Sequence, residues 1–135
     1  MQCFVINLAK DVARREQIAQ AYHLAFADLP LILPPRARDG DLHSWHLYVL
    51  RIADHAGIGR DEFIERMFEQ GIGCSVHYVP LHQHPYWRDR YALTADMFPQ
   101  SERVYQSSAS IPIYSKMSDA DVARVIQAVR GILSS

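Results

Sequence analysis

The chain has 135 residues, 49% of them apolar and 21% charged, which suffices for one buried core and falls short of two, so residues 1–135 are expected to form a single domain. A formal net charge of −1, with Lys10 and Lys116 as the only lysines, provides no cationic cluster to displace counterions from phosphates and excludes an electrostatic nucleic-acid binder. No apolar run approaches the roughly 18–20 residues that cross a bilayer, the opening Met1 to Ile6 has no basic n-region or cleavage site, and Cys3 and Cys74 lack a CxxC spacing. The expectation is an untargeted cytoplasmic protein with no membrane partner, no zinc knuckle and no redox pair.

Phe4, Val5, Ile6 and Leu8 form a short apolar run that reads as a strand. Val12, Ile18, Ala19, Tyr22 and Phe26 then recur near the helical period, which predicts a helix from about Asp11 to Ala27, stopped at Leu29-Pro30. Pro34-Pro35 through Asp39-Gly40 reads as an exposed loop. The aromatic and β-branched run from His43 to Ile52 predicts a strand, with Trp45 in the core or an interface and His46 satisfying a local hydrogen bond. Arg51 is expected to be a solvated charge at the strand end, with pairing to a phosphate as the alternative.

Arg60 to Gln70 predicts a helix with Phe63, Ile64, Met67 and Phe68 on one face, ended by Gly71 in a left-handed C′ conformation. Cys74 to Tyr78, between Gly73 and Pro80, predicts a second strand that opens into a loop rich in polar aromatics. Pro85, Tyr86, Trp87 and Tyr91 make an aromatic cluster that is either a covered interface or a local mini-core. A third helix is expected from Pro99 to Gln106, then a short edge strand Ser110–Ile113, because an internal proline breaks a central ladder.

Ser118 and Asp121 resemble a capping box, and Val122, Val125, Ile126, Val129, Ile132 and Leu133 form one apolar stripe behind it. Buried, each side chain contributes about 1.5–3 kcal/mol before entropy costs. The pattern predicts an α+β fold of two layers, a small, mainly antiparallel sheet with amphipathic helices on one face. The sheet's other face must then meet solvent, another domain or a second subunit.

Three ordered blocks carry a family resemblance: Arg14-Arg15 with Ile18-Ala19 and Tyr22, the Ser44-to-Arg51 run, and Gly71-Ile72 followed by Val76-His77-Tyr78-Val79-Pro80-Leu81-His82. Phe98-Pro99 with Glu102, Ser110 to Tyr114 and the capped final helix complete the set. Over about residues 11–133 the chain resembles the C-terminal small domain of the DegT/DnrJ/EryC1/StrS sugar aminotransferases, with residues 1–10 an atypical N-terminal segment. The resemblance implies a fold-type I small domain that packs on a large pyridoxal-phosphate (PLP) domain within a dimer and helps shape the pocket for a nucleotide-linked sugar. It implies substrate-binding roles for His77, Tyr78 and His82.

Members of that family hold PLP on a lysine in a Ser-Phe-His-x-x-Lys-like stretch of the large domain, and neither Lys10 nor Lys116 has those neighbours. Transamination needs an amine to carry the cofactor, so this chain alone is expected to hold no cofactor, to contain no catalytic residue and not to transaminate. His77, His82 and His84 have no carboxylate or thiolate at ligand spacing, so no metal is expected. The alternative is a stand-alone module for nucleotide-sugar binding or self-association. Met1 to Leu8, continuing to Arg14-Arg15, also resembles the opening of family 25 lipopolysaccharide glycosyltransferases, though no metal-binding carboxylate motif of a nucleotide-sugar transferase follows.

Overall fold

The computed structural model describes residues 8–134; the strand expected over Phe4–Ile6 lies outside them. Helix α1 (Leu8–Ala25) buries Val12, Ile18, Ala19, Tyr22 and His23. It ends two residues before the expected stop, because Phe26 and Leu29 close a turn through backbone bonds to Tyr22 and Phe26 before Pro30. Strands β1 (Leu31–Ile32), β2 (Tyr48–Ile52) and β3 (Ser108–Ile111) form an antiparallel sheet in the order β1-β2-β3. The other helices are α2 (Arg60–Glu69), α3 (Pro85–Tyr91), α4 (Pro99–Ser107) and α5 (Asp119–Leu133), with 3₁₀ turns at Leu81–Gln83 and Ala95–Met97.

The β2–β3 register sorts the sheet into two unlike faces. Tyr48 lies opposite Ile111 and Leu50 opposite Ala109, while Val49 pairs with Ser110 and Arg51 with Ser108. Paired residues share a face and neighbours alternate. Tyr48, Leu50, Ile52, Ala109 and Ile111 therefore point into the core, which also takes Tyr22 and Phe26 from α1, Phe63 and Met67 from α2, and the α5 stripe. Ser108 and Ser110 point the other way with Arg51. This is the two-layer α+β arrangement the sequence predicts, with α1, α2 and α5 covering the apolar face.

Helix α5 has the expected capping box: the Asp121 N–H donates to Ser118 Oγ at 3.2 Å and the Ser118 N–H to the Asp121 carboxylate at 2.9 Å. Val122, Val125, Val129, Ile132 and Leu133 are buried, and Ile126 is partly so. Arg130 grips Asp28 with two bonds, at 2.7 and 2.8 Å, tying α5 to the end of α1. That guanidinium holds the Asp28 carboxyl down at about 2.

Helix α2 ends in a Schellman motif: the Ile72 N–H bonds to Met67 O and the Gly71 N–H to Phe68 O, with Gly71 at φ +71°. A Cβ there would also stand 2.9 Å from the Arg124 guanidinium. The motif drops Ile72 into the core and sends the chain along the outer edge of β3.

Two expected strands come out shorter and a third, expected over Ser110–Ile113, is shifted two residues earlier. The His43–Ile52 strand begins only at Tyr48, because Trp45 adopts a left-handed φ of +45°, a conformation that crowds the Cβ of an L-residue. Its N–H donates to His43 Nδ1 at 2.9 Å, its indole N–H donates to the Glu16 carboxylate, and its ring is buried against Tyr48 and His23. Those contacts offset the strain. Over Cys74–Tyr78 only Ser75 bridges, to Ser110. Strand β3 ends before Pro112, whose carbonyl instead accepts from the Tyr22 hydroxyl at 2.8 Å.

Leu50 is wholly enclosed at the centre of the sheet, whereas Leu42 is 81% exposed. Leu50→Ala should lower the urea-unfolding free energy by about 2–5 kcal/mol through lost burial and a residual cavity. Leu42→Ala should change it by less than about 0.5 kcal/mol.

Candidate functional site

Residues 74–80 form an extended tongue between the Schellman motif and the first 3₁₀ turn, pinned to β3 by reciprocal backbone bonds between Ser75 and Ser110 at 3.1 and 2.8 Å. The pairing puts Ser75 and His77 on the same side as Ser110, and the His77 Nε2 lies 3.3 Å from the Ser110 hydroxyl. Tyr78, the next residue, is 97% exposed.

Two clefts flank the tongue and share His77 and Tyr78. One, of ≈ 470 Å³, lies towards α4 and is lined also by Gln100, Ser101, Tyr105 and Ser108. The other, of ≈ 440 Å³, lies towards the start of β2 and is lined also by His46, Leu47, Ser75 and Ser110. His46 does not make the local hydrogen bond expected of it: it is exposed at the second cleft, and no group among the described residues bonds its imidazole. The left-handed turn at Trp45 is the reason, since it breaks the strand one residue earlier.

His82 is placed apart from His77 and Tyr78. It is 5% exposed, stacked on Phe98 at 4.9 Å, and its Nε2–H donates to Glu102 at 2.9 Å. Gln83 donates to the same carboxylate oxygen at 2.7 Å, and Gln106 to the other at 2.7 Å. These bonds from His82 and Gln83 hold the Glu102 carboxyl below the usual glutamate range and clamp the end of the tongue to α4. On its far side His82 faces an apolar groove of ≈ 440 Å³ lined by Leu81, Trp87, Leu93, Phe98 and Ser101.

His84 turns away again, with its Nε2 3.1 Å from the Val79 carbonyl. The three histidines thus serve three different contacts, and among the described residues no three His, Cys, Asp or Glu side chains gather around one metal position. Burial pushes the Cys74 thiol up to about 11, so it stays protonated and is no nucleophile at neutral pH.

The mini-core alternative for the Pro85–Tyr91 aromatics fails. They form a helix missed in the sequence, begun by Pro85 at its first position and stopped by left-handed Ala92, and none of its residues is buried. Trp87 stacks on Tyr91 at 5.9 Å with both rings facing outward. Val76, Tyr78, Val79, Leu81, Met97 and Phe98 are likewise exposed apolar side chains. Arg51 is also unlike its expectation: it is half-buried, and its Nε is enclosed without a hydrogen-bond partner among the described residues, as is the Ser108 hydroxyl across the strand pair.

A depression of ≈ 510 Å³ at the start of α2 is lined by Arg60 and Arg103. Both cations are already engaged, Arg103 with Asp54 at 3.0 Å and Arg60 with Asp61 and the Tyr105 carbonyl.

The family model for DegT/DnrJ/EryC1/StrS aminotransferases matches residues 6–130. The chain belongs to that family. This aminotransferase-family chain is 43% identical over 122 residues to the uncharacterized protein MJ1066 of Methanocaldococcus jannaschii and 41% identical to the spore coat polysaccharide biosynthesis protein SpsC of Bacillus subtilis. The matches cover 90% and 89% of the chain but 32% and 31% of those relatives, so the chain spans about a third of their length. Among solved structures, S. venezuelae DesV in complex with a ketimine intermediate superposes with a TM-score of 0.82 at 30% identity, over 94% of this chain and 33% of that one. The aminotransferase TlmJ from Streptoalloteichus hindustanus gives 0.80 at 29% identity, over 94% and 33%.

Lys10, in the first turn of α1, and Lys116, in the turn before α5, are both exposed, and neither lines a tongue cleft. No described helix is long and apolar enough to cross a membrane.

Glu102 gives the site a pH signature. Its depressed carboxyl contributes stability that is whole above the ordinary glutamate range and lost as pH falls through its own lower value. The unfolding free energy of Glu102→Gln should therefore change less between about pH 6 and pH 3 than that of the natural chain, as measured by urea titration across that range.

Proposed function

We propose that these 135 residues act as the small domain of a PLP-dependent nucleotide-sugar aminotransferase, and that the cofactor is held by residues outside them. The observation that supports this best is the pairing of a family match over residues 6–130 with a lysine content of Lys10 and Lys116 alone, neither near the tongue. In that setting PLP supplies an electron sink on a lysine amine. This chain supplies recognition. Tyr78 and His77 reach from the tongue to hydrogen-bond the sugar or phosphate groups, while His82, through Glu102, holds the tongue to α4.

The exposed apolar stretch from Val76 to Phe98 supports a docking role for this side of the molecule. The family resemblance makes a large PLP domain, within a homodimer, the partner proposed here. Self-association of these residues alone is the second reading, supported by the same surface, and light scattering of the purified chain distinguishes the two: a dimer favours it and a monomer opposes it.

The purified chain should give no protonated-aldimine absorbance with PLP and no turnover of an amino donor, while titration with a UDP- or dTDP-sugar gives saturable binding. Tyr78→Ala should weaken that binding roughly two- to tenfold, the loss of one ordinary hydrogen bond. An aldimine band with turnover from the chain alone would overturn the proposal.

A further inference from the structure

His23 is a buried side chain whose contacts a neutral imidazole cannot satisfy. It is 8% exposed on the core side of α1. Its Nδ1 lies 2.8 Å from the Ala19 carbonyl, one turn earlier in the helix, and its Nε2 lies 2.9 Å from the Pro34 carbonyl in the loop after β1. A carbonyl oxygen only accepts, so each contact needs an N–H, and a neutral ring carries one. The Tyr48 hydroxyl lies 3.2 Å from Nδ1. Donation from that hydroxyl to a bare Nδ1 would leave the nitrogen's lone pair against the closer Ala19 oxygen. Two protons on the ring fit all three distances, with the Tyr48 oxygen then accepting.

We infer that His23 is held as an imidazolium and serves as a proton-dependent latch that ties the Pro34 loop to α1, beside the Trp45 turn. The rings of Trp45 and Tyr48 wall it in, with centroids at 5.6 and 5.3 Å. The titratable and charged groups around it come from four elements. Strand β2 brings the Tyr48 phenol, which burial pushes above its ordinary range so that it stays a neutral hydroxyl. The Pro34 loop brings Arg36, whose charge acts on that phenol. The turn brings His43, stacked on Trp45 at 4.0 Å, and α1 brings Glu16, which takes the indole N–H. Arg36 and a charged His43 oppose a proton on His23 and Glu16 favours it, but none of the three bonds the ring; the two carbonyls do, and they set its proton count. A neutral ring must give up one of them. With its proton on Nδ1 it releases Pro34, and with its proton on Nε2 it is repelled by Ala19, so the loop loosens from α1 in either tautomer.

The fold then holds a proton that the unfolded chain releases near the ordinary histidine value of about 6.5. The latch's contribution to stability is whole below that value and is lost as pH rises through the folded-state value. The direct test is nitrogen-15 NMR of the histidine rings of the purified chain at about pH 7, where His23 should show two protonated ring nitrogens. A single protonated nitrogen with a bare Nδ1 would overturn the latch. Tyr48→Phe should leave both protons in place, and a ring that loses one there would make the hydroxyl rather than the carbonyls their cause, which also overturns it. Urea titration at about pH 6 and about pH 9 gives the consequence: the folding constant of the natural chain should fall about tenfold more than that of His23→Gln, while an equal fall in both removes the latch. The Cys74 thiol, pushed up to about 11, stays out of that window. Should His23→Gln not fold, trypsin cleavage after Arg36 in the natural chain, normalised to a peptide of the same loop, should accelerate severalfold between about pH 7 and pH 9, and a constant ratio would count against the latch.

Discussion

The antiparallel pairing of β2 with β3 decides which side chains the two layers share and which are left for recognition. With Tyr48 opposite Ile111 and Leu50 opposite Ala109, one face is apolar and must be covered, and α1, α2 and α5 cover it. The same register leaves Arg51, Ser108 and Ser110 on the opposite face. A slip of one residue would exchange the two sets, burying serines under α5 and exposing Leu50. The hydrophobic gain on the first face thus fixes the position of the polar groups on the second.

The tongue inherits its place from that register. Its hold on the sheet is the Ser75–Ser110 bridge at one end and the His82–Glu102 clamp at the other. Between those anchors His77 is half-buried and Tyr78 stands out into solvent. A short segment held at both ends but unpaired in its middle can present side chains without their collapsing into the core. The Schellman motif after α2 aims the chain into this path, with Gly71 supplying the left-handed residue it requires.

The helices covering the core are tied by contacts remote in sequence. Arg130 joins α5 to the turn after α1, Arg14 bonds to the Met117 carbonyl and Asp119, and Arg15 bonds to the Ser44 carbonyl. The last of these lies beside the Glu16–Trp45 contact, so the first helix supports the strained turn from which His46 projects. The side of the molecule that carries the tongue and α3 lacks comparable covering and leaves its apolar side chains outward.

Local physics made much of this legible in the residues alone. Apolar period and capping chemistry located α2, α4 and α5 to within about a residue, because an amphipathic stripe and a Ser118–Asp121 box act within a few turns of chain. The ordered blocks from Arg14 to Tyr114 pointed to the family by resemblance rather than by local physics. Features that depend on contacts across the chain were not legible: the left-handed Trp45, sustained by Glu16 twenty-nine residues away; the burial of His82 beneath Glu102; and α3, whose seven residues bury nothing and so leave no period to read. The sequence by itself determined where the amphipathic helices α2, α4 and α5 lie and which family the chain belongs to. Only the tertiary structure decided that His46, not His82, shares a cleft with His77 and Tyr78, because that placement depends on strand register and on a strained turn stabilised from a distant helix.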